Sequence, residues 1–122
     1  MFEEGLNSRI VATTRKFVIM PVFDKQWREM GLDDNDLQNL QVELLKNPQI
    51  GNVIRGTGKL RKMRFAFQNR GKSGSSRVLY VDFVVAETIY LIFAYPKNEK
   101  DNLTDAERNN IKKLIDRLEQ SL

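Results

Sequence analysis

Lys62 and Arg64 stand two residues apart in a segment where Met63, Phe65 and Phe67 alternate with Lys62, Arg64 and Ala66. A period of two describes a strand with one buried and one solvated face, so both cations leave the sheet on the same side. Arg77 opens the next apolar run, with Tyr80 further along it. Tyr95 and Lys97 close the last run, again two apart. Lysine, arginine and tyrosine gathered on a small sheet can serve in two ways. As a binding surface they hold phosphates and stack bases. As a catalyst they can cleave RNA by directing a 2′-hydroxyl at its own phosphate. Guanidinium groups would stabilise the charge on the pentacoordinate phosphorus, while a base takes the 2′ proton and an acid supplies the leaving oxygen. A lysine among other cations suits the base, because like charges disfavour its protonated form. Taken singly, Tyr80 and Tyr95 are explained as well by core packing with a wet hydroxyl.

The rest of the composition narrows the chemistry. The 122 residues include no His and no Cys. A Ser-His-Asp or Cys-His triad, a His- or Cys-ligated zinc and a disulfide are therefore all excluded. The net charge of +4 is unevenly spread: Arg55 to Arg77 holds eight basic residues and no acidic one, while the remainder holds 12 basic and 16 acidic residues. A block of one sign in an otherwise acidic chain suits a polyanion such as nucleic acid; a solvated basic loop is the plainer alternative. On the first reading Arg55, Lys59, Arg61, Arg70 and Lys72 bind nucleic acid around the catalytic candidates Lys62, Arg64, Arg77, Tyr80, Tyr95 and Lys97. Ala66 to Ser73 also satisfies a permissive phosphate-loop pattern, with Ala66 in place of the first glycine. Such a loop must open a helix, whereas here Gly74 and Ser75 lead into a strand, so no nucleotide-binding loop is expected.

The elements that must carry these residues follow from periodicity and punctuation. Residues 1–15 show no periodicity and read as an extension; residues 16–122 are of a length for one domain. They contain nothing approaching the roughly 18 apolar residues of a membrane span, and Met1 to Arg15 lack the pattern of a signal peptide, so the cytoplasm is expected. Lys16 to Val22 reads as a strand and Asp24 to Met30 as a short helix stopped by Gly31. A second helix is capped by Asp33 or Asp34, carries Leu37, Leu40, Leu44 and Leu45 on one side and ends at Asn47-Pro48. After the Gly56–Gly58 turn comes the Lys62–Arg64 strand. Gln68 to Ser75 reads as a polar hairpin loop, and Ser76 to Val85 and Thr88 to Tyr95 read as two more strands. Thr104 with Glu107 forms a capping box for a last helix bearing Ile111, Leu114, Ile115, Leu118 and Leu122. The order β-α-α-β-β-β-α predicts an α+β fold: a mainly antiparallel sheet of three or four strands with its helices packed on it. Met63, Phe65, Phe67, Leu40, Leu44, Leu114 and Leu118 are expected to be buried together.

Four separated motifs carry a resemblance over about residues 16–120. They are Val53 to Arg64, the loop Gly71-Lys72-Ser73-Gly74, Arg77-Val78-Leu79-Tyr80, and Tyr95 to Thr104. In this order they resemble the HigB-type toxins of the RelE superfamily. The resemblance implies a RelE-like domain and a ribosome-dependent mRNA endoribonuclease without a cofactor or metal. It also implies a cognate antitoxin, of helix-turn-helix type, from the same operon. The Lys62-x-Arg64 pair and Arg77 fall where RelE-type toxins keep basic catalytic residues. Elsewhere the chain departs from RelE: Asn98 stands where RelE has an arginine, and Thr104 where RelE has its catalytic tyrosine. The general base is therefore not transferred, and Lys62, Tyr80, Tyr95 and Lys97 stay open for that part. The sister group on the same fold, the gyrase-binding ParE-like toxins, and a non-catalytic nucleic-acid-binding module are the alternatives.

Overall fold

Pro21 lacks an amide proton and has its φ fixed for a helix, so it is well placed at a helix's first position. It opens α1 (Pro21–Glu29) directly after β1 (Lys16–Ile19). The strand expected to reach Val22 is thus cut short, and the helix begins three residues before Asp24. In this computed structural model, residues 14–69, 72–97 and 102–122 are described. Gly31, at φ +79°, turns the chain out of α1. In α2 (Asp34–Lys46) Asp33 is the cap, exchanging hydrogen bonds with Asp36 in a capping box. A two-residue β2 (Asn52–Val53), absent from the expected order, pairs with β3 (Arg61–Asn69). Then follow β4 (Lys72–Phe83), β5 (Thr88–Pro96) and α3 (Asp105–Gln120), the last capped by Thr104 and Glu107 as expected.

The five strands lie in the order β1-β5-β4-β3-β2. The antiparallel α+β arrangement is present, and β1 adds one parallel pairing with β5. The β3–β4 hairpin is longer than expected, since Gln68 pairs with Ser73 and Asn69 with Lys72. Ladder hydrogen bonds come from the backbone, so polar side chains do not end a strand. Lys72 and Ser73 therefore lie in a strand and open no helix, which removes the phosphate-loop pattern.

Each face of the sheet packs against a hydrophobic cluster. Val78 and Tyr80 of β4 point into a core with Phe23, Trp27, Leu40 and Leu44 from the N-terminal helices, and Met63, Phe65 and Phe67 join them. Leu79, Val81 and Phe83, alternating with these, point the other way and pack with Ile92, Ile111 and Ile115 under α3. The expectation of a single cluster fails here: Leu114 and Leu118 are half-buried on the α3 side, across the sheet from Met63 and Leu40. Leu122 lies beyond α3 and is 52% exposed. Among the described residues no helix is long and apolar enough to cross a membrane.

Candidate active site and nucleic-acid interface

Strand register sets out the cations. Arg64 of β3 lies opposite Arg77 of β4, and Arg77 lies opposite Tyr95 of β5. Alternation puts this row on the face that α3 covers further along. Lys62 is one pleat nearer α3, opposite Leu79, which in turn faces Phe93. Arg64 is exposed, while Lys62, Arg77 and Tyr95 are partly buried.

Tyr95 reaches this face only because β5 is irregular. The register shifts between Leu79, opposite Phe93, and Tyr80, opposite Leu91, leaving Ile92 as an extra residue. A bulge of this kind reverses the alternation beyond it. Before the bulge Ile89 and Leu91 point into the N-terminal core; after it Ala94 does so, and Phe93 and Tyr95 turn to the α3 side. A strict period of two would have put Tyr95 with Leu91. Gln26 of α1 reinforces the irregular stretch, its Oε1 accepting a hydrogen bond from the Ala94 amide at 2.8 Å.

A groove of about 710 Å³ runs beside the row, with Arg64, Ala66, Gln68, Ser75, Pro96 and Lys97 among its lining. The Lys97 amide donates to Ser75 O at 3.2 Å, which ties the end of β5 to β4. Among the described residues no carboxylate lines this groove, and the cations Arg64 and Lys97 both do. Among the described residues no group of three or more acidic side chains is placed to hold a metal ion. The arrangement offers guanidinium donors in a row, two lysines flanking them and a phenol, all suited to a phosphodiester.

Lys62, Arg64, Arg77, Tyr95 and Lys97 thus come together, and Tyr80 does not. It lies three residues from Arg77, hence on the other face, and is fully buried. Its hydroxyl donates to Pro48 O at 2.8 Å and accepts from the Gly51 amide at 2.9 Å. Burial pushes its pKa up, against the opposing effects of that amide and of Arg61. It is a neutral structural group. Arg61 is also turned away, donating to Gly51 O at 2.7 Å. Lys59 is paired with Glu119 of α3 and sits 5.8 Å from the centroid of the Phe83 ring. Arg55 is exposed in the turn after β2 and lines neither the groove nor the hollow beside Lys62. Arg70, the side chain of Lys72 and Asn98 lie outside the described residues.

Sequence reasoning passed over Arg108. With Asn52, Lys62, Tyr95 and Asn102, it lines a hollow of about 210 Å³ next to the row. Only its place in the first turns of α3, where a cation is disfavoured by the helix dipole, could have marked it.

The family model described as the RelE toxin of the RelE/RelB toxin–antitoxin system matches residues 16–121. Among solved structures, a doubly substituted variant of the E. coli toxin RelE in the free state is similar in fold. Its TM-score is 0.52 at 17% identity, over 87% of this chain and 99% of that one.

Proposed function

The chain belongs to the RelE toxin family of RelE/RelB toxin–antitoxin systems, and from that premise we propose that it is an endoribonuclease that cuts mRNA in the ribosomal A site. The observation that carries this reading is the row Arg64–Arg77–Tyr95 beside a groove lined by Arg64 and Lys97 and, among the described residues, by no carboxylate. The scissile phosphate lies over Arg64 and Arg77, whose guanidinium groups stabilise the pentacoordinate phosphorane. The 2′-oxygen attacks that phosphorus, the bond to the 5′-oxygen of the next nucleotide breaks, and a 2′,3′-cyclic phosphate and a 5′-hydroxyl result. The 2′ proton passes to one of Lys62, Tyr95 and Lys97, and another of these supplies the proton to the leaving oxygen. No step requires a cofactor. The protein acts in the cytoplasm, where ribosomes and the antitoxin are found. An acidic or amphipathic segment of that antitoxin covers the basic face, in an attraction that salt weakens.

Inducing the protein and mapping the 5′ ends of cellular mRNA tests this function. New cuts in register with the reading frame are expected. Growth arrest without such cuts, accompanied by inhibition of supercoiling, would transfer the protein to the gyrase-binding class.

A further inference from the structure

β1 pairs with β5 only as far as Leu91, and the Met20 amide donates to Leu91 O at 3.0 Å before Pro21 turns the chain into α1. Leu91 therefore directs its backbone groups to the β1 edge. Successive residues of a regular strand direct theirs to opposite edges in turn, so Ala94, three residues on, would turn its amide to β4. It donates instead to Gln26 Oε1 at 2.8 Å, on the α1 side. The Lys97 amide, three residues further, is back on β4 and donates to Ser75 O at 3.2 Å. The reversal thus lies between Leu91 and Ala94, where the ladder leaves Ile92 as the extra residue. The bond to Gln26 belongs to the bulged register alone.

We propose that Gln26 is a positioning residue whose carboxamide locks this bulge, and with it the face of the sheet on which Tyr95 stands. Sliding the extra residue from Ile92 to beyond Tyr95 would carry Phe93 and Tyr95 to the N-terminal core and Ala94 to the α3 side. Apolarity does not choose between the two registers, because Ile92, Phe93 and Ala94 are all apolar and a core lies on each face. The hydrogen bond does choose. In the slid register the part-buried Ala94 amide and Gln26 lose each other, and an unmade bond of this kind costs free energy. Gln26 and Tyr95 also line one hollow of about 380 Å³ at this end of β5. A helix on the N-terminal side of the sheet thereby sets the place of a side chain on the cationic side. The consequence for cleavage rests on the endoribonuclease reading, in which Tyr95 is one of three groups that pass the proton. Gln26 itself touches no substrate.

The test compares two variants. Gln26→Met keeps a long, helix-compatible side chain and removes the amide oxygen; Gln26→Glu keeps an oxygen acceptor at the same reach. The chain has three tyrosines, so isotope-labelled tyrosine gives three ring signals to follow. In Gln26→Met the Tyr95 signal should move and the Ala94 amide should lose its protection from hydrogen exchange, while Tyr90, ahead of the bulge, keeps its place. On programmed ribosomes at saturating protein the single-turnover rate should fall roughly 10²-fold, the scale for a reacting group displaced by about 1 Å. Affinity for a codon with a 2′-O-methyl group at the cleavage position, and its dependence on salt, should stay as in the wild type, since no cation is lost. Gln26→Glu should recover the Tyr95 signal and most of the rate. In a Tyr95→Phe background Gln26→Met should cost little more, because both losses fall on one group. An unmoved Tyr95 signal in Gln26→Met would overturn the proposal, and so would full additivity with Tyr95→Phe or a moved signal with an unchanged rate. Should Gln26→Met fold poorly, the wild-type Ala94 amide decides: protection supports the lock and free exchange overturns it. If wild type leaves the cleavable codon intact, the nuclease reading falls, while the tyrosine signal and the amide exchange still score the lock.

Discussion

Tyr80 and Tyr95 read alike in the sequence and have different roles in the structure. The Tyr80 hydroxyl satisfies Pro48 O and the Gly51 amide in the core, whereas Tyr95 stands in the cationic row. Tyr80→Phe should leave these two backbone groups without a partner. A loss of about 1–3 kcal/mol in unfolding free energy is expected, with RNA cleavage by the remaining folded protein unchanged. The alkaline behaviour gives a second readout. Because burial raises the Tyr80 pKa, the folded state keeps its proton at pH values where the unfolded chain, with an ordinary value near 10, has lost it. The unfolded state then binds fewer protons, so stability falls as pH rises through and above about 10. Denaturant melts across that range should show this slope in the wild type and a weaker one in Tyr80→Phe. An equal slope in both would assign the effect to another group.

The cationic row is held by elements that the sequence reveals unevenly. Gly51 lies against β3: a methyl group there would come within 2.9 Å of Lys62 O and 3.0 Å of the Tyr80 ring. Both neighbours are fixed, one in a strand and one in the core, so Gly51→Ala must move the backbone under Lys62. We expect a destabilisation of about 1–3 kcal/mol and a slower cleavage rate even at temperatures where the variant is fully folded. Unfolding and single-turnover cleavage measured on the same samples check this. If only the stability changes, Lys62 does not depend on this packing. Alternation already placed Lys62 and Arg64 on one face, and the same rule separates Tyr80 from Arg77, three residues earlier. The bulge at Ile92 that brings Tyr95 to the site leaves no such trace, because Ile92 and Phe93 are both ordinary strand residues and only the register with β4 shows the extra one. Capping boxes at Asp33 and Thr104 were legible, since their chemistry is local. The two-residue β2 was not, because its formation depends on β3.

Across the whole molecule, the sheet divides the core under the N-terminal helices from the face that carries α3 and the cationic row. The N-terminal helices pack on one side and α3 on the other, where Arg64 is exposed and Arg77 and Tyr95 are partly buried. β1, parallel to β5, is secured across that strand by Arg15, whose Nε and Nη2 hold the two oxygens of Asp82 at 2.7 and 3.1 Å. The long-range pairing β1–β5 was hidden in the sequence for a physical reason: a parallel partner needs a distant crossover and carries no turn signal. Because the fold is closed without the exposed cations, their removal separates chemistry from stability. The placement of the chemistry on this row is decided by single-turnover cleavage of mRNA on programmed ribosomes by Arg64→Ala, with unfolding followed on the same samples. The unfolding free energy should change by no more than about 0.5 kcal/mol, as for an ordinary surface substitution. The cleavage rate should drop roughly 10²–10³-fold, as when one donor to a developing negative charge is removed. A folded Arg64→Ala that cuts at the wild-type rate would put the active site elsewhere.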